Sequence, residues 1–170
     1  VLVLENEAAL PACWTIQQVR YVPFSFGNDL MKAWEESKDV LLDRESGKPR
    51  DFAKEVLVHD ARLVTDSTAL QEQEREQPDF IPGIILEDAP TRRVIQAMLN
   101  RAGWLVIPMS YDPGWSAVVR DLRDGKVVRP KLHRVNGLMT GLPLPSGKFE
   151  IELRYLSLIH ISEPTRRYEI

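Results

Sequence analysis

The 170-residue chain is 44% hydrophobic and 28% charged with a formal net charge of −3, which suits one globular domain with a core of its own. Acids and bases are interspersed, so no basic face offers itself to nucleic acid or to an anionic membrane. The lone Cys13 excludes an internal disulfide, His59, His133 and His160 are scattered without zinc spacing, and apolar runs such as WLVIPM fall far short of the ~20 residues that span a bilayer.

The opening segment, VLVLENEAALPACWTIQQVRYVPF, reads as two short strands separated by a turn over Glu5 to Pro11. Thr15, Ile16, Val19, Tyr21 and Val22 give the second its β-branched and aromatic character. A helix follows, with Asn28 as N-cap, Asp29 in its first turn, and Leu30, Trp34 and Leu41 near helical spacing. RESGKP at Arg44 to Pro49 breaks it, and EVLVHD at Glu55 to Asp60 is a short strand of the buried type. TDSTALQEQEREQPD, Thr65 to Asp79, is a polar, acidic, solvated loop.

Beyond the loop the pattern is β throughout. GIILED, RRVIQAML, GWLVIPMSY, WSAVV, KVVRPKLHRV, LMTGLPLP and FEIELRY follow one another with turns at DPG, Asp121 to Gly125, and PSGK. In the last, Phe149, Ile151, Leu153 and Tyr155 share one face and Glu150, Glu152 and Arg154 the other, the mark of a half-buried antiparallel strand. Pro108 inside GWLVIPMSY demands an edge position or a bulge, since it has no N–H for a ladder. The expected fold is mainly β with one or two helices (α+β), with an antiparallel β-sandwich in the C-terminal half. The organisation is one domain over 1–155: a mixed α/β part over 1–64, the polar loop over 65–79 and the β-sandwich part over 80–155.

No active site assembles from these residues. His59 and Asp60 are strand neighbours pointing to opposite faces, His133 sits among Lys131 and Arg134 as a surface residue, and no nucleophile elbow or glycine-rich phosphate loop occurs. No residue is expected to be catalytic, to ligate a metal or to bind a cofactor. SYDPGW, Ser110 to Trp115, is the most distinctive stretch. Trp104, Tyr111 and Trp115 around it could form a sugar-stacking platform, since aromatic faces suit the C–H face of a pyranose. They could equally cap the end of the sandwich core, the reading favoured by how strongly large aromatics dominate burial.

Three stretches, taken in order, resemble a known family. NEAALPACW, RAGWLVIPMSYDPGWSAVV and VNGLMTGLPLPSGKFEIELRY are similar to three collinear motifs of the YfhO-like bacterial membrane proteins, over Val1 to Tyr155. Ala12, Pro108 and Asp112 depart from that family's pattern. The resemblance implies an extracytoplasmic domain of a multi-span, GT-C type membrane protein that takes a lipid-linked sugar donor on the outer face of the bacterial cell membrane. It implies as partners the membrane-spanning part of the same polypeptide and a carbohydrate or polyprenyl-phosphate sugar. The catalytic acid of that family lies in an early extracytoplasmic loop that no position here matches.

The chain has no initiator Met and no leader-like start, and reads as a piece of a longer one. Its tail, LSLIHISEPTR from Leu156 to Arg166, resembles an in-frame translation of a transposase-type sequencing adapter, with Arg167 to Ile170 continuing through the index. Residues 156–170 are thus expected to be adapter-derived, with the natural sequence interrupted after Tyr155.

Overall fold

A computed structural model describes residues 9–24, 30–43, 46–65 and 80–156, with the side chains of 30–34 and 64–65 outside that set. The strand expected over 1–4, the cap at Asn28 and Asp29, most of the polar loop and the tail beyond Leu156 lie outside the described residues. The elements run β1 (Trp14–Ile16), β2 (Val19–Tyr21), α1 (Leu30–Leu41), β3 (Val56–Val58), α2 (Arg62–Thr65), β4 (Ile81–Pro82), β5 (Ile84–Ala89), β6 (Arg92–Leu99) and β7 (Gly103–Ser110). They continue with β8 (Trp115–Asp121), β9 (Val127–Val128), β10 (His133–Val135), β11 (Met139–Leu144) and β12 (Gly147–Tyr155).

Two sheets result. One has the order β2-β3-β10-β11-β7-β1-β4, the other β5-β6-β12-β8-β9. Every described pairing is antiparallel except β2 with β3. The protein is mainly β, built as two facing sheets, as the alternation in FEIELRY and its neighbours requires. The N-terminal strands β1 and β3 belong to the same sheet as β7, β10 and β11.

The first sheet curls. Five strand spacings separate β2 from β1 in its order, about 24 Å if flat. Ile16 and Val19, which end one and begin the other, are three residues apart and at most ~11 Å. Only a sheet bent back on itself satisfies both.

Curling creates two cores with a common wall. Trp14, Ile16, Val56, Val58, Trp104, Val106 and Val135 form a cluster on one side of the curled sheet. Leu105, Ile107, Leu142 and Leu144 on its other side meet Ile95, Ala97, Val119, Phe149, Ile151 and Leu153 of the second sheet. Along β7 the residues therefore alternate between cores rather than between core and water, which accounts for the unbroken apolar run GWLVI. β3 behaves likewise: Leu57, between Val56 and Val58, packs with Val22 and Val40 of α1 in a third, small cluster.

Two expectations need correction, and one choice left open is decided. The strand expected over 15–22 is two, because the chain changes partner at Gln17 and Gln18: β1 pairs with β7, and β2 with β3. KVVRPKLHRV likewise divides into β9 and β10, separated by a segment containing Arg129 and Pro130. Of the two places open to Pro108, an edge or a bulge, the structure has the bulge, on the side of β7 that pairs with β11. There Met139 faces Ser110 while Thr140 faces Ile107, so Pro108 and Met109 are passed over in the ladder. Thr140 Oγ1 donates to the Met109 carbonyl at 3.2 Å, which satisfies an acceptor the bulge would otherwise leave open.

Candidate functional site

The SYDPGW turn joins β7 to β8 at one end of the sandwich. Asp112 is its organiser: Oδ1 accepts from the Gly114 N–H at 2.7 Å and its carbonyl accepts from the Trp115 N–H at 3.1 Å. The Tyr155 hydroxyl donates to Asp112 Oδ2 at 3.5 Å, tying the end of β12 to the turn. Gly114 is required by closeness, since a Cβ there would lie 2.7 Å from the Tyr155 ring. The Tyr111 N–H donates to the Leu138 carbonyl at 2.8 Å, so the β10–β11 turn lies alongside.

The three sequence-singled aromatics do not form one surface. Tyr111 and Trp115 are half-buried and pack against the sandwich core, with Trp115 tilted over Tyr155 at 5.3 Å and Arg134 5.2 Å from the Tyr111 ring centre. Trp104 is 1% exposed and belongs to the other core. Its faces are covered by protein, so it offers none to a pyranose. His133 corrects the surface reading: it is half-buried, edge-on to Trp104 with centroids 5.7 Å apart. Burial, and then the Lys131 charge, lowers its pKa.

His59 and Asp60 point to different work, as expected of neighbours. The Asp60 carboxylate takes a forked pair of bonds from Arg62 and accepts the Arg62 N–H at 3.0 Å, which holds its pKa down to about 2. His59 is held by backbone at both ring nitrogens, 2.8 Å from the Val22 carbonyl and 2.9 Å from the Gly137 N–H. Burial raises the pKa of the Cys13 thiol, the opposite of what a nucleophile needs.

Sequence reasoning missed a buried ion cluster. Glu55 accepts from Arg20 at 2.6 Å and from Arg50 at 2.9 Å, and Arg50 also donates to the Asp39 carbonyl near the end of α1 at 2.9 Å. Nothing in the spacing of these residues marks them as partners. The cluster joins α1, β2 and β3 and has the character of a structural fastening.

Among the described residues no group of three His, Cys, Asp or Glu side chains could hold a metal, and no helix is long and apolar enough to cross a membrane. The fold and this end define a two-sheet, mainly β domain with a partly exposed aromatic turn. No protein-family model and no curated protein matches the chain. Among solved structures, the arabinofuranosyltransferase AftD from Mycobacteria is similar over 49% of this chain at 28% identity, with a TM-score of 0.38. A mutant form of the same protein is similar over 50% at 29% identity, again with a TM-score of 0.38. The chain spans 6% and 7% of the length of those two. An overlap with that score does not define a shared fold.

Proposed function

We propose that the chain is an extracytoplasmic accessory domain of a YfhO-like, multi-span bacterial membrane protein that transfers sugar from a lipid-linked donor to cell-envelope polymers. What supports this is where the three family-like stretches lie. The first leads into β1, the second supplies β7 and β8, and the third supplies β11 and β12. β1 pairs with β7, β7 with β11, and β8 with β12, so stretches remote in sequence are hydrogen-bonded neighbours in one structure. Among the described residues no acid–base pair is assembled, and the role proposed is to brace and position the membrane part of the same polypeptide.

Sequencing the uninterrupted genomic reading frame tests the proposal. A hydrophobic helix of ~20 residues should follow soon after Tyr155, with further spans upstream of Val1. A stop codon or a soluble domain directly after Tyr155 would overturn it. The purified chain should not turn over a polyprenyl-phosphate sugar.

The partly exposed rings of Tyr111 and Trp115 favour a second reading, a carbohydrate-binding module. Titrating oligosaccharides against tryptophan fluorescence separates the two. A saturable change lost in Tyr111→Ala supports the binding module.

A further inference from the structure

We propose that His59 is a pH-responsive latch that fastens the segment after β2, and with it α1, to the turn between β10 and β11. The ring follows β3 directly and bridges two backbone groups of opposite kind. The Val22 carbonyl, 2.8 Å from Nδ1, can only accept; the Gly137 N–H, 2.9 Å from Nε2, can only donate. A neutral imidazole protonated at Nδ1 satisfies both at once. An imidazolium would set a second N–H against the Gly137 N–H, and that bond is lost.

The surroundings hold Gly137 in place for this purpose. Asn136 and Gly137 both have positive φ, +47° and +80°. Asn136 grips β3 from two sides: its Oδ1 accepts the Leu57 N–H at 2.8 Å, and its own N–H donates to the Leu57 carbonyl at 2.9 Å. Behind Gly137 stands Val40 of α1. Val40, Val22 and Leu57 make up the smallest of the three cores, where few apolar contacts share the load with the histidine.

The groups that pack around the ring bear on its titration. Burial opposes protonation most, the bond to the Val22 carbonyl favours it, and the Arg134 charge from β10 opposes it. From the segment after β2 come the Val22 carbonyl and the Phe24 ring at 5.4 Å; from the turn comes the Gly137 amide. Asp60, the adjoining acid, is bonded to Arg62. The lowered pKa means that acid favours the opened form.

Amide exchange of the full chain, corrected for intrinsic rates between pH 7.5 and 5.0, tests the latch. Protection of the Val22 and Gly137 amides should fall about tenfold per pH unit from the ordinary histidine value down to the lowered one, as one proton is taken up on opening. The Ile151 and Leu153 amides of β12 should fall less. His59→Gln, whose amide can both donate to Val22 and accept from Gly137, should flatten the dependence, and His133→Gln should leave it intact. Equal loss in β12, or an unchanged slope in His59→Gln, would overturn the proposal. If that variant does not fold, imidazole nitrogen shifts in the wild type decide. An Nδ1-protonated ring with a depressed midpoint supports the latch, and an Nε2-protonated ring or an ordinary midpoint refutes it.

Discussion

Gln17 is the side chain whose surroundings suit it least. It is 6% exposed, and both its Oε1 and its Nε2 are buried without a hydrogen-bond partner, as is Trp14 Nε1 nearby in sequence. An unsatisfied buried polar group costs roughly 1–3 kcal/mol. Gln17→Met, close in shape, should therefore raise stability by about 1–2 kcal/mol in chemical denaturation. Two tryptophans offer a second comparison. Trp104→Ala empties a site enclosed by the inner core and should cost ~3–5 kcal/mol, whereas Trp115→Ala, half-buried at the sandwich end, should cost clearly less in the same assay. Trp115 was legible in sequence because a turn and a strand start define its place. Trp104 was not, since a run that is apolar on both faces carries no alternation to say which core a residue enters.

Among elements, the fastening of α1 is where removal of one atom group should matter most. Arg50 has a side chain only 6% exposed and relies on Glu55 for its countercharge. Glu55→Ala leaves that guanidinium buried without its carboxylate and should destabilise by about 3–5 kcal/mol in urea titration. Glu152→Ala provides the contrast. It bonds Arg92 and Arg154 on the exposed face of β12, where such pairs are worth ~0–1 kcal/mol, so its loss should scarcely register. In the second sheet, β8 and β12 were readable because each alternates buried and wetter positions with a period of two. The division between β1 and β2 was not: β-branched residues continue across Gln17 and Gln18, and a change of partner leaves no mark on the period. Pro108 showed that the ladder must be interrupted, but flanking strands, which only the tertiary structure supplies, decided between edge and bulge.

For the molecule as a whole, acid should be the effective stress. His59 and His133 both have pKa values lowered by burial, so the unfolded chain takes up protons first as pH falls through 6.5. Their contribution is complete above that value and declines below it. Asp60, Asp121 and Glu152 are held down by arginines too, but their partners are solvent-exposed and such pairs add little. The melting temperature should be level from pH 8 to 7 and decline below 6.5. The double variant His59→Gln, His133→Gln should remove that decline.

The wall formed by β7 has a consequence for how the chain can be divided. β1 finds its neighbours in β4 and β7, and β3 is bridged to β10, so the N-terminal strands draw on partners beyond residue 80. The portion before the loop cannot complete its interior, whereas the later one supplies all of the sandwich core but Cys13, so severing the backbone in the polar stretch should leave the first peptide unstructured and the second a sandwich with one side of β7 bare. Mixed, they should recombine into one particle, because β7, which belongs to the second peptide, is the template that β1 lacks when apart. Circular dichroism of peptides 1–72 and 73–170, separately and together, should show no β signal from the first alone and a gain in β signal on mixing. If mixing added no β signal beyond that of 73–170 alone, β1 and β3 would not depend on β7 and β10.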